Sequence, residues 1–395
     1  MRAGIRGLII AAAFVGPGTV TTATLVGANT GYALVWLLVF AIVATYILQE
    51  MASRLGTISG KGLSEAIMYA VNNTLAKWIL GALIVAAIGV GNAAYEGGNI
   101  TGAALGLSEN FGGSLNYWAL GLGLTAFLLI LTGHYKLVEK CLIALVLLMS
   151  IVFVALMIMV GINSKLLMQG VLLHQPIMNN TTLALAIIGT TIVPYNLFLH
   201  AGLSAQDANS SITQREMSQQ KSQLFASIGL GGLVTFAILS SSVTAFFISQ
   251  IDVDRSNIAS QFAPILGDNA QLFFGLGLFA AGLTSAITAP LAAAYAICGL
   301  FSWTPNLSDI RFKLTALLIV ITGTLVATLS IQPITLILLA QTANALLLPI
   351  SAILLLWVCN KAGLLGDYTN SWLQNVLGAA VVCLVLLLAA VKLIA

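Results

Sequence analysis

The sequence predicts an all-α polytopic membrane protein with eleven transmembrane helices: five spans, an inverted repeat of those five, and one extra span. Three observations lead there. Of 395 residues, 59% are hydrophobic and only 7% are charged, against roughly 25% charged in a soluble domain. Apolar runs of spanning length, about 20 residues, recur from end to end. Two of those runs, the first and the sixth, carry helix breakers at their centres.

Composition already narrows the function. With 15 basic and 12 acidic side chains in 395 residues, the chain cannot clothe a water-facing surface. That excludes a disulfide scaffold, a nucleic-acid binder, a disordered chain and an ordinary cytosolic enzyme. Cys141, Cys298, Cys359 and Cys383 are far apart and show no CxxC spacing, so they read as membrane-core thiols. There is no Walker-type phosphate loop, no HExxH and no GxSxG. No enzymatic activity, no cofactor and no nucleic-acid partner are expected. No cleavable signal peptide is expected either, because the first apolar run serves the fold.

The runs lie near 7–28, 33–55, 76–97, 115–132, 138–161, 181–204, 223–249, 270–300, 311–331, 334–358 and 374–394. The chain is therefore one transmembrane domain, 1–395, with repeat one about 7–161, repeat two about 181–358 and the extra helix about 374–394. Asn29, Thr30 and Gly31 mark a short hairpin between the first two spans. The polar stretch 205–222 reads as a cytoplasmic loop or interfacial helix. The stretch 250–269, with Asp252, Asp254, Arg255 and Asp268, reads as an outside loop. Trp36, Trp118, Trp303, Trp357 and Trp372 fall near span ends, where indole anchors belong.

Charge sets the orientation. With the N-terminus inside, the cytoplasmic segments hold Arg2, Arg6, Arg54, Lys61, Lys77, Lys136, Lys140, Arg215, Lys221, Arg311, Lys313 and Lys361. The outside segments hold Lys165, Arg255 and Lys392, which completes the 15 basic residues. The asymmetry predicts N-terminus in, C-terminus out, in a cytoplasmic (inner) membrane, and an odd number of spans.

The breaks carry the functional reading. Gly16-Pro17-Gly18-Thr19 interrupts the first span and Val193-Pro194-Tyr195-Asn196 the sixth. Proline removes a backbone donor and clashes with the preceding turn. Unwound backbone survives at membrane depth only when it is buried in protein or lines a polar cavity. Paired breaks in corresponding spans point to a midplane substrate site in a secondary transporter.

Several segments resemble those of the Nramp metal-ion transporters. Ser53-Arg54-Leu55-Gly56, Ser59-Gly60-Lys61 and Leu63-Ser64-Glu65 look like that family's cytoplasmic segment after the second helix. Pro194, Asn196, Leu197 and His200 match its sixth-helix motif, MPHNLYLH in its common form. Ala280-Ala281-Gly282 to Ala289-Pro290-Leu291 resembles the eighth helix, and Gln341, Asn344 and Leu348-Pro349 the tenth. The resemblance spans about 5 to 395. It implies the LeuT-type inverted-repeat fold, with the site where the first and sixth helices unwind, and symport of metal ions.

The departures bear on substrate. The family's DPGN, whose Asp and Asn bind metal, falls on Gly16-Pro17-Gly18-Thr19. The thioether-bearing Met of the sixth helix becomes Val193, and the His of MPHN becomes Tyr195. A family Asp tied to proton movement falls on Ala93, while the Glu three residues later is kept as Glu96. Mn²⁺ and Fe²⁺ favour carboxylate and imidazole, with a soft thioether aiding selection. A divalent ion stripped of water is strongly disfavoured at a midplane site lacking anionic ligands. This branch is therefore expected to lack the usual Mn/Fe coordination; which metal it takes, if any, the sequence leaves unknown. Gly16, Thr19, Thr22, Thr190, Val193, Tyr195, Asn196, Gln341 and Asn344, with freed carbonyls near Phe14, Val15, Thr190 and Thr191, are the expected substrate-binding set.

Such a neutral, roomier site suits a largely hydrated ion such as Mg²⁺, which surrenders water reluctantly. A small organic solute fits it too, its anionic group set on the N-termini of half-helices. Glu96 is the one carboxylate placed well inside the membrane. It serves either ion coupling or packing, bonded to Asn92, Asn99 or a hydroxyl. His200 belongs either to a proton route or to a structural hydrogen bond. Glu50 and Glu139 read as structural carboxylates near the cytoplasmic interface.

The function expected is alternating-access transport of a cation of the divalent-metal class, by a monomer in a lipid bilayer. The first and sixth helices would rock against a scaffold of the third, fourth, eighth and ninth. The alternatives are a carrier of hydrated Mg²⁺ or a small organic solute on the same fold, or a non-transporting receptor. A receptor is expected to add a soluble effector domain, and none follows the last span.

Overall fold

The structure is a computed structural model that describes residues 16–133, 135–172, 180–206, 214–329 and 331–394. Among them, ten helices are long and apolar enough to cross a membrane. The first expected span contributes Pro17–Thr30 (α1), and its residues 7–15, with Phe14 and Val15, lie outside the described residues.

The spans follow in chain order. They are α2 (Val35–Ser59), α3 (Thr74–Phe111), α4 (Leu115–Thr132), α5 (Tyr135–Val160), the broken α6 (α6a, Thr181–Thr191; α6b, Pro194–Gln206) and α7 (Gln214–Ser242). Then come α8 (Ala270–Leu300), α9 (Ile310–Ala327), α10 (Pro333–Cys359) and α11 (Trp372–Ile394). Most runs match within a few residues.

Three segments differ from expectation, each for a physical reason. α3 runs to Phe111, well past residue 97, because its second half is rich in Gly, Asn and Thr. Those residues lower hydropathy but let helices approach closely inside the bundle, where residues 95–107 are buried. The stretch expected as a separate polar element, 205–222, is helical from Gln214 and continues into α7, while 207–213 lies outside the described residues. The loop 250–269 does not simply face outward. Its short helix Ile258–Phe262 returns to the core, where Phe262 packs on Phe153 with ring centroids 4.5 Å apart. Two π-helical turns, Val85–Val90 in α3 and Val243–Phe247 after α7, left no sequence signal.

Packing sorts the helices into two groups. α3 packs on α8 and α9, and α9 on α4. Separately, α1 packs on α7, and α6b on α2. α10 bridges the groups, touching α6a, α3 and α1. The pairs also exchange when each helix is swapped for the one five places away: α1 with α7 becomes α6 with α2, and α3 with α10 becomes α8 with α5. This is the pattern an inverted repeat produces. α6 lies at the centre, with 83% of its apolar stretch buried, against 28% for α4 and for α11 on the lipid-facing rim.

Candidate functional site

The start of α1 meets the break in α6. Gly16 is extended (φ −89°, ψ 175°), and the helix starts at Pro17, whose missing N–H costs nothing in a first turn. On the other side α6a ends at Thr191, Ile192 leaves helical geometry (φ −104°, ψ 85°), and α6b restarts at Pro194. The hydroxyls of Thr19 and Thr190 hydrogen-bond across the junction at 2.9 Å. The Thr191 carbonyl, freed by the break, accepts from Thr45 Oγ1 on α2 at 3.1 Å. The Val193 carbonyl accepts from the Asn196 amide at 3.1 Å, closing the turn into α6b.

Gln341 on α10 wedges against this junction. A Cβ on Gly18 would overlap the Gln341 side-chain amide, so glycine here is what admits that amide beside α1. A Cβ on Gly16 would lie 3.2 Å from Ser285 Oγ and 3.8 Å from the Tyr95 hydroxyl. The Tyr95 ring tilts against Tyr195 with centroids 5.3 Å apart. The notch is thus walled by α1, α3, α6, α8 and α10.

Its chemistry is polar and uncharged. Thr22 Oγ1, Asn196 Oδ1, Gln341 Oε1 and Asn344 Nδ2 are buried with no hydrogen-bond partner among the described residues. Buried polar atoms are ordinarily satisfied, so such a concentration marks a place where something else supplies the bonds. No three His, Cys, Asp or Glu side chains come together among the described residues. Residues 1–15 contain none of these four types, so the rest of the first span adds no such ligand. Every expected substrate-binding residue is buried.

The predicted residues divide. Gly16, Thr19, Thr190, Tyr195 and Gln341 are drawn together by the contacts above. Thr22, Val193, Asn196 and Asn344 are buried on the same elements. Glu96 and His200 stand apart from the junction. Glu96 is fully buried, accepts from Asn99 Nδ2 at 3.2 Å through Oε2, and packs against Gly323 of α9. Its Oε1 has no hydrogen-bond partner among the described residues. His200 Nδ1 lies 2.8 Å from Gln49 Oε1 on α2, so that nitrogen carries the hydrogen and donates it.

Sequence reasoning missed Tyr95 and Ser285. Tyr95 adjoins Glu96 in the chain, and Ser285 sits in a small-residue helix with no break, so neither carried a local signal. The sequence reading made Glu50 a structural carboxylate near the cytoplasmic interface. Glu50 is buried, 3.3 Å from Arg54 and 3.1 Å from Lys221 of α7, and accepts from Gln374 Nε2 of α11 at 2.9 Å.

Comparison with known proteins agrees with this architecture. The family model for natural resistance-associated macrophage protein-like chains matches residues 7–395. The divalent metal cation transporter MntH of Erwinia tasmaniensis is 26% identical over 389 residues, 96% of this chain and 91% of that one. MntH of Acidiphilium cryptum is 27% identical over 366 residues, 91% of this chain and 82% of that one. A manganese transporter of Eremococcus coleocola superposes with a TM-score of 0.75 at 21% identity, covering 98% of this chain and 85% of that one. MhsT with L-phenylalanine bound superposes at 0.64 and 16% identity, covering 98% and 97%. The structural likenesses carry the fold, a LeuT-type helical bundle, while the family model reaches nearly every residue: this chain belongs to the Nramp family.

Proposed function

We propose that the protein is a secondary active transporter that carries a divalent metal cation across the cytoplasmic membrane by alternating access, with the family's Mn/Fe coordination lost or altered. One observation carries the reading. The start of α1 and the break in α6 face each other across the Thr19–Thr190 hydrogen bond, beside buried polar atoms with no partner among the described residues and no carboxylate. Thr19, Thr22, Thr190, Tyr195, Asn196, Gln341 and Asn344 contact the substrate. Gly16 and Val193 leave it room. The MntH relatives, named as divalent metal cation transporters, supply the substrate class.

Neutral oxygens favour an ion that keeps part of its water, and Mg²⁺ does so most stubbornly. Coupling falls to Glu96 and His200. An isolated buried carboxylate is costly unless something neutralises it, and a proton entering with the cargo does so. The groups α1, α2, α6, α7 and α3, α4, α8, α9 are the two bodies that rock, each repeat (about 7–161 and 181–358) giving half of each body. The N-terminus lies inside and the C-terminus outside.

The test is uptake into proteoliposomes of Mn²⁺, Mg²⁺ and Ca²⁺. Saturable uptake of Mg²⁺ with weak uptake of Mn²⁺ is expected. Saturable Mn²⁺ uptake at micromolar concentration would refute the altered coordination, and no uptake of any ion would refute transport.

A further inference from the structure

α8 carries three hydroxyls near the notch, and they behave differently. Thr284 Oγ1 donates to the Ala280 carbonyl at 2.7 Å, one turn back on its own helix. Thr288 Oγ1 does the same to the Thr284 carbonyl at 3.1 Å. Such back-bonding is the ordinary fate of Ser and Thr in an apolar helix. Ser285 lies between them and is 3% exposed, yet its hydroxyl has no hydrogen-bond partner among the described residues, not even the Ala281 carbonyl one turn back. It points off the helix toward the break in the first span, 3.2 Å from where a side chain on Gly16 would begin. The Tyr95 hydroxyl stands 3.8 Å from the same point.

A glycine at 16 therefore leaves a hydroxyl from a different helix group facing the unwound backbone. Thr22 Oγ1, Asn196 Oδ1 and Gln341 Oε1 are buried oxygens of the notch with no hydrogen-bond partner among the described residues. These and the Ser285 hydroxyl are all neutral oxygens. That is the donor set for a hard divalent cation that retains some of its water, which can donate hydrogen bonds outward while the hydroxyl accepts.

We propose that Ser285 is a ligand-contacting, specificity-determining residue of the central site, its Oγ accepting from a water of the bound divalent cation or meeting the ion directly. This rests on the transport reading above. Because α8 belongs with α3 and α9 while Asn196 belongs with α6, a ligand held by both ties the two helix groups together in the closed form.

The experiment uses the full-length protein, in detergent for Mg²⁺ and Mn²⁺ titration by calorimetry and in proteoliposomes for uptake. Ser285→Ala should raise Kd and KM for the transported ion by about three- to tenfold, the worth of one neutral hydrogen bond. Its ion-free melting temperature should stay the same or rise, since the removed hydroxyl has no partner among the described residues. Ser285→Thr, which keeps the hydroxyl, should lie within about twofold of the parent protein. A Ser285→Ala protein with unchanged Kd and KM overturns the proposal while leaving the transport reading intact. So does one whose melting temperature falls together with its affinity, because that is a structural serine. If the parent protein neither binds nor carries either ion, the transport reading fails first and the proposal with it.

Discussion

Thr19 and Thr190 show how a single pair of hydroxyls can hold the start of one helix against the break in another. Their 2.9 Å bond is buried, so water does not replace it when one partner goes. Thr19→Val keeps the shape and removes the bond. It should cost about 1 kcal/mol of stability, read as a lowered melting temperature, and should weaken ion uptake. A variant that melts and transports like the parent would show that the bond does neither job. Glu96 is the residue whose role chemistry constrains most, being fully buried and hydrogen-bonded by Asn99 alone among the described residues. Glu96→Gln is nearly isosteric and cannot accept a proton. It should abolish ion-driven acidification of the vesicle interior, followed with a pH-sensitive dye, while ion flux down its own gradient continues. Undiminished proton movement would assign coupling elsewhere. The identities of these residues were visible in the sequence. That Glu96 packs on Gly323 rather than into the notch was not, because neighbouring positions on a helix point about 100° apart and only the surrounding helices decide which wall each one meets.

At the scale of elements, the broken α6 was legible because proline and its neighbours disturb backbone geometry locally. The full length of α3 was not legible, because a helix buried among other helices can be polar without leaving the membrane. The cluster at one end of α2 is a second feature of this kind. Arg54 is 6% exposed, reaches the Tyr368 carbonyl, and donates to Asn370 Oδ1 at 2.7 Å while pairing with Glu50. It thereby fastens α2 to α11 and the turn before it, and Lys221 adds α7. Removing one partner of a buried ion pair leaves the other uncompensated. Arg54→Ala is therefore expected to destabilise the protein by about 3 kcal/mol, measured as loss of thermal stability in detergent. Lys221→Ala, at a half-exposed position, should change stability little. Equal effects of the two would contradict the assignment of Arg54 as the buried anchor.

For the whole molecule, the prediction concerns topology. Twelve basic residues on one side and three on the other predict the N-terminus inside. Single cysteines at Ser256 and Ser308, in a background without the four native thiols, should react from opposite sides of intact cells with a membrane-impermeant maleimide. Ser256 should label from outside, and Ser308 only after permeabilisation. The reverse pattern would invert the molecule. Alternating access requires two helix groups that move against each other, and α10, the α8–α6b contact and α5 join the groups seen here.

The sequence by itself determined that this chain lives in a bilayer, where most of its spans lie, where the sixth ruptures, and which family it resembles. Each of these follows from local composition or from a run of adjacent residues, and transfer from water to hydrocarbon is paid residue by residue. Only the tertiary structure decided that Thr19 meets Thr190, that Gln341 fills the space beside Gly18, that Ser285 faces Gly16, and that Glu50 is buried with Arg54. Those contacts join residues from 4 to more than 300 positions apart. They depend on which helix face turns toward which neighbour, and in an almost uniformly apolar chain hydropathy does not encode that choice.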